Sequence, residues 1–198
     1  MSRAGVVVPI RSFADAKLRL ASHLSEERRA DLARTFATRV LEASAPMPVV
    51  VVSSAPEVVE WATALEFEVV PDPGTGLDGA ASAGRARIAE RGLTRVVIAH
   101  ADLPNARSLE PLARDGVLPI VTLVPCHRED GTNVCSLPVD LPFRFAYGPD
   151  SFRRHVEEVA RVGAELRIVR RPDLAFDVDV PADLEALGVT NAAGDRPA

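Results

Sequence analysis

Cysteine is scarce: the 198-residue chain has two, Cys126 and Cys135, which excludes a disulfide framework. Long apolar runs are missing as well. None approaches the roughly 20 residues that span a bilayer, and the N-terminal run "GVVVPI" is too short for the apolar region of a secretory signal. The expectation is a soluble, cytoplasmic protein with no membrane partner. There is no surplus of positive charge. A net charge of -5 and a pI near 5.4 exclude an extended nucleic-acid surface, although a local cationic pocket remains compatible with them. Aromatics make up only 5%, so packing falls to Val, Leu and Ala. What is present, 47% hydrophobic and 26% charged residues, is a globular composition. The length suits one domain over 1–189, followed by a loose tail over 190–198.

Apolar patterning divides the chain into alternating elements. Val-rich runs at 5–10, 48–53, 67–71 and 95–99 read as buried strands. Between them, 25–44, 56–65 and 79–91 read as helices: Ser25 is placed to cap the first, with Leu32, Phe36, Val40 and Leu41 as its buried stripe, and Pro56 opens the second. This alternation calls for parallel strand–helix–strand units with helices on both faces of the sheet. Ligands of such sheets sit at the carboxyl ends of the strands. Further on, 108–115 reads as a short helix, 118–125 as a strand and 126–133 as a polar turn. Segment 134–147, interrupted by prolines, reads as a broken or edge strand. A helix over 149–161, a strand over 165–171 and a short helix over 181–188 complete the pattern.

Several motifs carry candidate chemistry. "PIRSFADAKLRL" (9–20) leaves the first strand with Arg11, Lys17 and Arg19, a cationic loop suited to a triphosphate or else simply solvated. "HADLP" (100–104) puts Asp102 where the fourth strand leaves the core. "FDVDVP" (176–181) offers Asp177 and Asp179 from a distant segment. Magnesium takes one or two carboxylates plus substrate phosphates, so two remote acids at one sheet edge would build such a site; capping or a solvated strand end is the plainer alternative. "GTGLDG" (74–79) fits the dinucleotide fingerprint, but it follows the third strand rather than the first, and a Gly-rich loop contacting a nucleotide, or merely flexible, explains it as well. "DGTN" (130–133) and "YGPDSF" (147–152) are loop-to-structure transitions, with Ser151 opening a helix whose N-terminus favours an anion. His100, His127, Cys126 and Cys135 match no structural zinc spacing.

Taken in order, "VPIRSFADAKLRL", "PDPGTGLDGAASAG", "HADLP", "DGTNV", "FRFAYGPDSFRRH" and "LAFDVDVPADL" resemble the CofC-like guanylyltransferases. No single motif is specific, but the ordered set is, and "DGTN" followed by "GPDSF" is its most distinctive part. Such enzymes act on phosphoenolpyruvate, 2-phospho-L-lactate or 3-phospho-D-glycerate in assembly of the deazaflavin coenzyme F-420. The resemblance implies an α/β, Rossmann-like nucleotidyltransferase fold of the nucleotide-diphospho-sugar transferase type, with a mixed, mostly parallel sheet and helices on both faces. It implies GTP and a small phosphorylated carboxylic acid as substrates, phosphoenolpyruvate favoured, and Mg2+ as cofactor. Lys17 would lie by the GTP phosphates, with Arg11 beside it, and Asp102 and Asp179 would hold the metal. Thr132, Gly148 and Ser151 would grip the acceptor; Gly76 and Gly79 fall on the guanosine side. Arg11 stands where such sequences commonly have Lys, and "CHRED" replaces a more usual Asp- and Gly-rich approach to "GTN". Other readings stay open at this point: a CTP- or molybdopterin-type nucleotidyltransferase, a non-catalytic nucleotide-binding module, a nicotinamide-dependent oxidoreductase, and either a monomer or a homo-oligomer.

Overall fold

The computed structural model describes residues 4–114 and 119–188. Position 118 of the expected strand, position 115 of the expected helix and the expected tail over 190–198 lie outside the described residues.

Seven strands form one sheet: β1 (Ala4–Pro9), β2 (Val49–Val52), β3 (Glu68–Val70), β4 (Arg95–Ala99), β5 (Ile120–Pro125), β6 (Thr132–Pro138) and β7 (Glu165–Ile168), in the order β3-β2-β1-β4-β6-β5-β7. All run parallel except β6, which lies antiparallel between β4 and β5. Side chains alternate between the faces of a strand, so each Val-rich run supplies two cores at once. Val6, Val8, Val49, Val51, Val97 and Ala99 pack on one face beneath α1 (Glu26–Ala43) and α2 (Pro56–Ala64). Val7, Val50, Val52, Val96 and Ile98 pack on the other beneath α3 (Gly76–Glu90) and α4 (Ser151–Arg161). Full burial on both faces is what makes these runs continuously apolar. Short helices α5 (Pro172–Ala175) and α6 (Pro181–Ala186) follow β7.

Local signals explain the boundaries. Ser25 Oγ accepts from the Arg28 N–H at 3.4 Å, and Glu26 and Glu27 stand in the first turn of α1, where the helix dipole favours acids. Of the expected stripe on α1, Phe36, Val40 and Leu41 are buried and Leu32 partly so. Helix α3 begins at Gly76, three residues earlier than its composition predicts, and rides close on the sheet because it is built of small residues. A Cβ at Gly84 would meet Val7 Cγ1 at 2.2 Å.

Two expectations change. Segment 134–147 is not an edge or broken strand at its start: β6 sits inside the sheet, paired on both sides. Its prolines do not interrupt the ladder, since Pro138 ends the strand and Pro142 lies beyond it. Thr132 and Asn133, read as turn, open that strand. The expected helix over 108–115 is reduced to a 3-10 turn at Glu110–Leu112.

Because β6 runs backwards, its first residue lies at the same edge as the exits of β1, β4, β5 and β7. Loop 10–25, loop 100–106, Thr132 and the stretch after β7 therefore meet along one rim.

Candidate active site

The loop after β1 is held at several points. Glu57 Oε1 accepts from Ser12 Oγ and from the Phe13 N–H, and Phe13 meets Trp61 edge to face at 5.1 Å. Leu20 is buried with Phe36, Val178 and Leu184. Between these anchors Lys17 adopts a left-handed backbone, φ 55°, a conformation that costs a non-glycine residue about 1–2 kcal/mol and collects at functional sites. It turns the side chain inward, leaving it 8% exposed. The ammonium lies 2.5 Å from Asp102 Oδ2 and 3.5 Å from Asp179 Oδ1, so one cation stands between carboxylates from two remote segments.

The electrostatics follow from that placement. Burial pulls the Lys17 pKa down, but Asp102, then Asp179 and Asp177, outweigh it and the net shift is upward. Burial pushes the Asp102 carboxyl up, and the Lys17 charge with its hydrogen bond brings it below the ordinary value. Asp177 shifts the other way: burial and the neighbouring charges of Asp102 and Asp179 raise it, and its backbone hydrogen bond and His127 offset this only in part. Its Oδ1 lies 3.1 Å from His127 Nδ1. Of the two acids in "FDVDVP", Asp179 is thus the one that shares Lys17, and Asp177 faces His127.

Asp179 is aimed by a residue that the sequence reading did not single out. Asp183 Oδ2 accepts from the backbone N–H groups of Asp179 and Val180 at 2.8 and 2.9 Å, and its Oδ1 takes a 2.7 Å contact from Arg128. The available signal was the acid inside "PADL", placed to bond back to the start of α6. A second missed signal is compositional: of 23 lysines and arginines, Lys17 is the only lysine.

The rim opens into a cavity of about 490 Å³ lined by Arg11, Lys17, His100, Asp102 and Asp179 among others. A second cavity continues from it, sharing Pro9, Ile10, Arg11 and Leu77 and reaching Asp72, Gly74 and Gly76. At Gly76, φ is +79°, left-handed backbone that suits glycine, and a Cβ there would meet nothing within 4 Å. Gly79 is placed differently: it lies inside the first turn of α3, where a Cβ would meet Thr75 Oγ1 at 1.9 Å, so its small size serves that turn's packing.

Thr132, Gly148 and Ser151 are brought together, yet they bond mainly to one another. Ser151 Oγ accepts from the Thr132 N–H at 3.1 Å and the Ser151 N–H donates to Gly148 O at 3.1 Å. The Phe152 N–H donates to Asp130 O, so the first two amides of α4 already have partners. Thr132 and Ser151 are buried, while Gly148, with φ +103°, is exposed. Behind them His155 is fully buried; its Nε2 accepts from the Ala146 N–H and its Nδ1 meets Thr132 Oγ1 at 2.9 Å. Nε2 therefore carries no proton, and Nδ1 donates to the threonine. Burial lowers the His155 pKa to about 4.

A hard divalent cation takes oxygen donors. Asp102 and Asp179 offer only oxygens, and Asp102 Oδ1 is buried without a hydrogen-bond partner among the described residues. No three His, Cys, Asp or Glu side chains form a ready-made cage among the described residues. The residues fit an ion that completes its shell with substrate phosphates and water, the usual habit of magnesium. No helix among the described residues is long and apolar enough to cross a membrane.

Residues 4–192 match the family described as guanylyl transferase CofC like. The chain is 35% identical over 187 residues to the phosphoenolpyruvate guanylyltransferase of Sphaerobacter thermophilus, covering 91% of this chain and 90% of that protein. It is 35% identical over 201 residues to that of Rubrobacter xylanophilus, covering 96% of each. A solved structure from Desulfovibrio desulfuricans, named after the nucleotide-diphospho-sugar transferases, superposes with a TM-score of 0.77 over 98% of this chain and 90% of its own. At 18% identity, that likeness establishes the fold.

Proposed function

Since the chain belongs to the CofC-like guanylyltransferases, we propose that it transfers GMP from GTP to the phosphate of phosphoenolpyruvate, releasing pyrophosphate, in assembly of the deazaflavin coenzyme F-420. The observation that carries this reading is the Lys17 ammonium lying between Asp102 and Asp179 over a cleft that runs on to the Gly-rich loop. The choice of phosphoenolpyruvate rests on what the similar proteins of Sphaerobacter and Rubrobacter are named for.

An acceptor phosphate oxygen attacks the α-phosphorus of GTP; the new P–O bond forms as the bond to the bridging oxygen of pyrophosphate breaks. A phosphate monoester is already ionised at neutral pH, so no side chain has to remove a proton. The difficulty is bringing two anions together, and catalysis here is positioning and charge compensation. Lys17 releases its contacts to Asp102 and Asp179 in favour of the phosphates, and Arg11, which borders both cavities, adds a second cation. Mg2+, held by Asp102 and Asp179 when bound, would offset the negative charge of the triphosphate and the leaving group. Gly74 and Gly76 leave room for the nucleoside, and Asp183 keeps Asp179 pointed at the phosphates. Thr132, Gly148 and Ser151 form the acceptor side, where the exposed main chain at Gly148 meets the phosphorylated acid and the buried pair fixes its conformation. We read 1–189 as one domain on the strength of its single sheet, and the reaction as cytoplasmic.

The test is one assay: GTP and magnesium with phosphoenolpyruvate, 2-phospho-L-lactate and 3-phospho-D-glycerate in parallel, products identified by mass. The expected result is a guanylylated product and pyrophosphate, with phosphoenolpyruvate the preferred acceptor. Binding of GTP without any transfer would contradict the proposal.

A further inference from the structure

Between the end of β6 and the start of α4, segment 141–147 has little backbone pairing of its own. Its main-chain groups are held mostly by side chains of the two helices beside it. From α3, Arg85 donates to the carbonyls of Leu141 and Phe143. From α4, Glu158 accepts from the Arg144 N–H, His155 accepts from the Ala146 N–H, and Arg154 donates to the Tyr147 carbonyl at 2.9 Å. Arg161, also of α4, donates to the Pro142 carbonyl, and one further tie leads back to the nucleotide side: Asp78 Oδ1 accepts from the Tyr147 N–H at 2.7 Å.

Asp78 is the acid of "GTGLDG". It lies two residues after Gly76, which borders the second cavity, and directly after Leu77, which borders both. Tyr147 immediately precedes Gly148, and its ring packs on His100 at 5.4 Å and on His155 at 4.8 Å. One charge-assisted hydrogen bond thus joins the first turn of α3, directly after the Gly-rich loop, to the segment that carries Gly148. Such bonds are shorter and roughly twice as strong as neutral ones.

We propose that Asp78 is a positioning residue of the transfer reaction, which sets where the acceptor loop at Gly148 stands relative to bound nucleotide. The inference rests on the functional reading above, with the acceptor beside Gly148. Asp78 touches neither substrate; it acts through the Tyr147 amide. Its loss lets Gly148 drift while the nucleotide cavity keeps its lining, so the defect falls on the acceptor.

The test compares wild type, Asp78→Ala and Asp78→Asn with GTP and phosphoenolpyruvate, measuring each KM and kcat together with thermal unfolding. The alanine variant is expected to raise the phosphoenolpyruvate KM about tenfold or more, the effect of losing one hydrogen bond to a charged group, with the GTP KM within about threefold of wild type. The asparagine variant, whose amide oxygen still accepts from an N–H, is expected between the two, and it carries the test alone if alanine prevents folding. An unchanged acceptor KM, a parallel rise in both KM values, or an asparagine variant as impaired as alanine would overturn the inference. A wild type without transfer would overturn the functional reading, and this inference with it.

Discussion

Among 23 lysines and arginines a single ammonium survives, and it is the buried one at the rim. An ammonium is a compact point charge with three rotatable donors, whereas a guanidinium is a broad planar fork. Asp102 and Asp179 approach within 2.5 and 3.5 Å of one nitrogen, a geometry set for a point charge rather than a fork. Lys17→Arg, which keeps the charge, is therefore expected to lower kcat about 100-fold or more, the scale of losing a preorganised electrostatic group; initial rates at saturating GTP check it, and an active arginine variant would contradict the role. Lys17 and Asp102 were legible in the sequence because each follows an apolar strand run, and Asp179 because it alternates with apolar residues in "FDVDVP" ahead of a helix. Asp183 and Asp78 were not. Each acts by accepting a backbone N–H, and the partner of Asp78 lies in a segment that only folding brings near.

The parallel half of the sheet was readable because β1, β2 and β4 are buried on both faces and so lack polar interruptions. Strand β6 was not, since its prolines argued for an edge and nothing local announces an antiparallel strand inserted between β4 and β5. The helix over the parallel half is tuned by absence: with Val7 Cγ1 2.2 Å from where a Cβ would stand at Gly84, α3 cannot keep its distance if a methyl is added. Gly84→Ala is expected to destabilise the protein by about 1–3 kcal/mol, as overpacking does, against a small gain in helix propensity. Urea unfolding measures this, and an unchanged midpoint would contradict the close-packing account.

At the scale of the molecule, burial of ionisable groups sets the response to acid. An unfolded histidine binds its proton below about pH 6.5, while His155 binds one only below about 4. Between these values the unfolded chain takes up more protons, so acidification favours unfolding. The contribution is fully present above pH 6.5 and is lost towards pH 4, on the order of 3 kcal/mol. NMR of the ring nitrogens should find His155 neutral, with the proton on Nδ1, at pH 5.5; a protonated ring there would contradict the network with Ala146 and Thr132. The fold also brings the side chains at positions 17, 102 and 179, which we propose carry the reaction, together at one rim of the sheet. The most direct measurement of that convergence is pyrophosphate release from GTP plus phosphoenolpyruvate by Asp102→Asn beside wild type, with circular dichroism as the check on folding. The variant is predicted to fold and to release no pyrophosphate above background; a folded variant turning over near the wild-type rate would contradict the account.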